Sequence, residues 1–196
     1  KNLPDDAELL RMEVVIRSAR GALSAARGGN VAESLAETEY GLELAREMLR
    51  KRPDDPAVQQ TMATMEENAS RAFFLAGHLE KSIPHAEAAV DLRHDLTVRH
   101  PQNADLERDY ISSLDALCGA LSSVGKASPA YDELIAIYRR KSAADPHNLG
   151  LRLGLTEALN HKTTYFLRKG ISSEAIALNR EVLGILQDLL ARDPGN

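Results

Sequence analysis

Read along the chain, apolar residues recur at helical spacing. In "LERDYISSLDALCGALSSVG", Leu106, Tyr110, Leu114, Leu117 and Leu121 follow one another at steps of 4, 4, 3 and 4, which puts them on one face of a helix. The stripes are punctuated at a fixed interval. Pro4, Pro53, Pro101, Pro146 and Pro194 stand 49, 48, 45 and 48 residues apart, and Gly28, Gly77, Gly125 and Gly170 each lie 24 residues after a proline. Nine residues before each later proline stand Leu44, Leu92, Ile137 and Ile185, and eleven before stand Leu42, Val90, Ile135 and Leu183.

The punctuation has a physical reading. Proline followed by Asp or Asn starts a helix, because the ring cannot continue the previous one and the short polar side chain caps the next. Glycine marks the other end, where the chain turns through a left-handed residue. Each unit therefore reads as a helix, a turn and a helix. Pro84 and Pro129 are expected in the first turns of the second helices of units two and three, where proline is tolerated. No strand-like alternation interrupts the series.

These residues resemble the tetratricopeptide repeat (TPR) family, in an extended form whose period exceeds the roughly 34 residues usual there. The best stretch is "HPQNADLERDYISSLDALCGALSSVGKASPAYDELIAIYRRKSAADPHN", with its proline, first-helix leucines, turn glycine, Ala130 early in the second helix and closing "ADPHN"; the fourth unit keeps Gly170, Ala175 and "RDPGN". In this family a small residue midway along the first helix lets the second pack closely, and Gly21, Ser70, Cys118 and Thr163 stand 17 residues after the four prolines. Unit one departs: Met12, Ile16, Ala19 and Leu23 form its stripe one residue early, with Gly28 and Gly29 absorbing the slip. Units one and two carry Glu33 and Ser82 where the family has alanine.

The resemblance implies an all-α fold: a right-handed α-solenoid of four stacked helix-turn-helix units, about eight helices, as a single domain over residues 1–196. Its units fall at about 4–52, 53–100, 101–145 and 146–193. It also implies a concave groove, lined by the first helices, that binds a peptide or partner segment. The family's groove positions fall on Thr64, Glu67, Arg71 and Phe74, then Ser112, Asp115, Gly119 and Ser122, then Glu157, Asn160, Thr164 and Leu167. The expected binding residues are Glu67, Arg71, Phe74, Asp115, Ser122, Glu157, Asn160 and Thr164. Arg71 is the only cation among these groove positions, which favours a ligand with some positive charge over an acidic tail. In a blander reading Glu67 and Arg71, four apart, are a solvated ion pair.

Long-period arrays with this "DPxN" phrase and a first helix such as "ERDYISS" are similar to those of large bacterial multidomain proteins, some with a serine/threonine kinase domain elsewhere. That implies a regulatory or recruiting segment. Both ends, "KNLPDD" and "RDPGN", fall where one unit hands over to the next, which favours a piece of a longer array and leaves Leu186, Leu189 and Leu190 as apolar surface for a partner or a second copy.

Composition narrows the chemistry. A net charge of -5 gives no general attraction to nucleic acid, and aromatics at 4% without tryptophan leave little for base stacking. No apolar run approaches the roughly 18 residues of a membrane span, so no membrane insertion is expected. One cysteine, Cys118, excludes an internal disulfide and a cysteine zinc cluster; it reads as a packing residue. There is no phosphate-binding glycine loop, HExxH, GxSxG or dinucleotide fingerprint. His78, His85, His94, His100, His147 and His161 never form a His–His pair at i, i+4, and are expected on the surface or in turns, with no metal and no cofactor. Adjacent Asp54 and Asp55 read as caps.

The expected function is a protein-interaction or scaffold module with a protein or peptide partner and no catalytic residues. The alternative is a structural array, self-associating through its terminal helices; an enzyme comes third. The compartment is open, with the cytoplasm slightly favoured.

Overall fold

The structure, a computed structural model, describes residues 31–192 together with Glu13 and Ile16. Among these it is all-helical: α1 Val31–Lys51, α2 Pro56–Leu75, α3 Leu79–Arg99, α4 Ala104–Val124, α5 Ala130–Ala144, α6 Leu149–Arg168 and α7 Ser172–Arg192. The chain divides into two compact units, residues 1–113 and 114–196. In the first, α1 packs on α2 and α2 on α3; in the second, α5 packs on α6 and α6 on α7. Pro4, Pro194, Gly21, Gly28 and the register slip of unit one lie outside the described residues. Of that slipped stripe, Ile16 alone is described, and it is exposed.

The helix boundaries follow the punctuation. Asp55, Asn103 and Asn148 each stand two residues after a repeat proline, and each caps the helix that follows. The Asp55 carboxylate accepts from the Ala57 N–H at 2.9 Å, Asn103 Oδ1 from the Asp105 and Leu106 N–H groups at 3.1 and 3.2 Å, and Asn148 Oδ1 from the Leu151 N–H at 3.2 Å. Pro56 adds a fixed φ at the first position of α2.

At the other end, Gly77, Gly125 and Gly170 have φ of 78°, 68° and 71°. Each closes its helix with the same pair of bonds. The residue after the glycine donates five back, His78 to Phe73, Lys126 to Leu121 and Ile171 to Phe166, while the glycine itself donates three back. That pair satisfies carbonyls the helix end would leave bare, and it requires the left-handed conformation.

One expectation about proline changes. Pro129 directly precedes α5, as expected, but Pro84 is the sixth residue of α3 and lies past its first turn. The helix starts early because the turn after Gly77 leads straight into it, the His78 carbonyl accepting from both the Lys81 and Ser82 N–H groups. Pro84 faces solvent, which spares its ring a clash with a packed neighbour.

The apolar stripes are inside. Leu106, Tyr110, Leu114, Leu117 and Leu121 are all buried on α4. In the first unit Leu42, Ala45 and Met48 of α1 meet Val58, Met62, Met65 and Ala69 of α2, with Leu92 of α3 packed against them. Each large side chain so buried contributes about 1.5–3 kcal/mol. The small first-helix residues Ser70, Cys118 and Thr163 are buried as expected. In the second unit Tyr131 of α5 stacks on Tyr165 of α6 at 5.6 Å and donates its hydroxyl to the Lys126 carbonyl.

The last helix differs from its counterparts. Leu183 is 56% exposed, while the residues at the same place in the other units, Leu42, Val90 and Ile135, are 3%, 9% and 4% exposed. Ile176, Leu186 and Leu190 share this exposure, and Leu189 is half-buried.

The turn glycines make a clean test. A Cβ on Gly77 would meet nothing within 4 Å, so only backbone strain opposes it. Gly77→Ala is expected to cost about 1–2 kcal/mol in urea unfolding. Gly184, inside α7 and equally open, is expected to gain about 0.5–1 kcal/mol as alanine, because there the helix only loses entropy to glycine.

Candidate functional site

The eight expected binding residues divide by what they touch. Arg71, Phe74, Glu157, Asn160 and Thr164 are exposed, on α2 and α6. Ser122 is buried and donates its hydroxyl back to the Gly119 carbonyl at 3.0 Å, so it is turned into its own helix and away from an open face. Glu67 and Asp115 are half-buried and belong to polar clusters.

Glu67 accepts from Arg93 at 2.8 Å, and Arg93 is buried. The same guanidinium donates to the Asp109 carbonyl at 2.8 Å and the Ser113 hydroxyl at 2.7 Å, so one side chain of α3 ties α2 and α4 together. The pairing of Glu67 with Arg71 does not form: Arg71 instead donates to Asn68 Oδ1 at 2.9 Å. A buried guanidinium gains more from a partly shielded carboxylate than a solvated arginine one turn away does. A second buried carboxylate, Glu66, bonds His85 at 2.6 Å and faces Arg46 at 3.6 Å, while the His85 ring stacks on Phe73.

The second unit brings Asp115 and Glu157 together with a residue that the sequence reading set aside. Glu157 and His161 are four apart on α6, hence on one face, and His161 Nε2 lies 3.3 Å from Asp115 Oδ1 on α4. A carboxylate oxygen or ring nitrogen from each of the three lies within 4.8 Å of the others. Asp115 Oδ1 and His161 Nε2 are shut off from solvent and make no hydrogen bond. Gly119 gives the ring its place, since a Cβ there would stand 3.4 Å from His161 Cε1.

Tyr138 of α5 borders the cluster. Burial pushes its hydroxyl pKa up, and the charges of Asp115 and Glu157 push it further. Its ring lies against Gly154, where a Cβ would fall 2.3 Å from a ring carbon, so α5 and α6 approach closely there. Lys162, beside His161, is engaged by Asp132 and lies over the Phe166 ring.

The histidines therefore need correcting. His78, His100 and His147 are at helix ends or turns, but His85 and His161 are mid-helix and half-buried. Searching for histidine pairs overlooked His161; the signal was a carboxylate at i−4, Glu157, on the same helix face.

No known protein-family model matches the chain, and no curated protein matches it in sequence.

Two measurements check these environments. Arg93→Met is expected to destabilise the fold by about 2–3 kcal/mol, leaving Glu67 half-buried without its partner, and Glu67→Gln by less. Burial, then the charges of Asp115 and Glu133, push the Cys118 thiol from 9.0 up to about 12. With the folded-state value raised, the unfolded chain releases this proton first as pH rises above 9. Cys118 then contributes a loss of at most about 1.4 kcal/mol per pH unit between 9 and 12. The urea midpoint should fall between pH 8 and 10.5 more steeply in the native chain than in Cys118→Ala.

Proposed function

We propose that the chain is a protein-interaction module of the TPR kind, whose helix pairs stack as a right-handed α-solenoid and whose first helices hold a peptide or partner segment. The observation that carries the reading is the placement of Arg71, Phe74, Glu157, Asn160 and Thr164. They occupy corresponding positions on two first helices, face solvent, and are not needed to fill the core. Regular capping, left-handed glycines and buried small residues at one period support the repeat itself. So do contacts between alternate helices of the second unit, α4 to α6 through Asp115 and His161, and α5 to α7 through the forked Arg139–Glu181 pair at 2.7 to 3.2 Å. No described helix is long and apolar enough to cross a membrane.

Acidic Asp115 and Glu157 beside neutral Asn160 and Thr164 favour a ligand that combines a Lys or Arg with an apolar anchor. A regulatory or recruiting role within a larger protein fits such a module.

A second reading has its own observation. The exposed stripe of Ile176, Leu183, Leu186 and Leu190 on α7 suits self-association, since residues equivalent to Leu183 are covered elsewhere.

Selection of peptides from a random display library on the immobilised 196-residue chain separates the two. The module reading expects a basic, apolar-anchored consensus, weakened at least about tenfold, or about 1.4 kcal/mol, by Asn160→Arg or Thr164→Arg and unaffected by Leu183→Asp. Absence of any consensus, with a light-scattering mass that doubles and reverts in Leu183→Asp, would instead favour assembly.

A further inference from the structure

We propose that Asp115, Glu157 and His161 form a binding site for a divalent first-row transition metal, with Zn2+ as the representative ion. This runs against the sequence expectation of no metal, and it stands independently of the peptide-binding reading.

The geometry comes first. Around a tetrahedral zinc with bonds of about 2.0–2.1 Å, neighbouring ligand atoms are about 3.4 Å apart. Asp115 Oδ1 and His161 Nε2 already stand at 3.3 Å, from two different helices. Glu157 offers its oxygen within 4.8 Å of both, one helical turn before His161. Its side chain is exposed and free to change rotamer, which is the movement needed to close the set.

The hydrogen-bond inventory points the same way. Asp115 Oδ1 and His161 Nε2 are both hidden from solvent, and neither makes a hydrogen bond although they face one another. A buried oxygen or nitrogen left without a partner costs about 1–3 kcal/mol. A bound cation satisfies both atoms at once, and it does so with neutral imidazole, whose Nε2 lone pair points at the ion. Space is provided by Gly119, which lets the ring lie against the bare backbone of α4.

Donor chemistry selects the ion. One imidazole nitrogen and two carboxylate oxygens suit Zn2+, Fe2+ or Co2+, whereas Ca2+ and Mg2+ prefer oxygen alone. Three protein ligands leave at least one position for water or a ligand's own carboxylate, on the solvent side where Glu157 stands.

The test is titration of the full 196-residue chain with Zn2+ by calorimetry, with Co2+ visible absorption as the second readout. One equivalent is expected to bind. His161→Gln and Glu157→Gln should each weaken binding by no less than the roughly 10–100-fold that altering a ligand's outer partner costs. The Co2+ bands should fade with them, and Asp132→Asn and His147→Gln should bind as the native chain does. Glu157 is exposed, so its variant decides the question even if His161→Gln fails to fold, as monitored by circular dichroism. Absence of saturable binding to the native chain, or undiminished binding to Glu157→Gln, would overturn the site.

Discussion

A pair of helices about 20 residues long has an apolar stripe on each member and cannot cover both by itself. Everything else here depends on helices being pressed closely enough for each to cover its neighbour. The close approach is made by small residues at one place in the period, Ser70, Cys118 and Thr163, all buried. Left-handed glycines then fix where each first helix ends, and Asx caps fix where the next pair begins. Removing the side chain at the turn and shrinking it at mid-helix are the two devices that let one hairpin be used repeatedly.

Polar groups enter this core only with partners. Arg93 reaches three acceptors on two helices, and Glu66 is held by His85. Such groups bind helices together with more directional demand than leucine does, because each unmet hydrogen bond would cost about as much as a methyl-lined cavity. Asp115 and His161 are the exception, close together with their facing atoms unsatisfied. That is why this pair, rather than the better-connected clusters, invites a ligand.

Helices, turns and caps were legible in the sequence because each depends on local rules: stripe spacing, a proline with its cap two residues on, a glycine with φ near 70°. Burial of the α4 stripe and of Cys118 followed from the same period. The candidate site was only partly legible, since side-chain partners come from helices far apart in sequence. Glu67 was expected beside Arg71, four residues away, but a buried arginine 26 positions on takes it. Ser122 is turned inward by its own backbone bond, and His161 acquires Asp115 from 46 residues earlier. Pro84 shows the local rule failing for a local reason, because a tight glycine turn let α3 begin before the proline.

If each helix pair leans chiefly on its neighbours, stability should be a sum over units with nearest-neighbour terms. The most direct measurement is urea unfolding of the chain truncated after residue 145, compared with the full chain by helical signal. Our account predicts that the shortened chain still unfolds cooperatively, with a denaturant slope and stability reduced roughly in proportion to the surface removed. Loss of all cooperative unfolding, with the helices before residue 145 melted, would show a single indivisible core and contradict it.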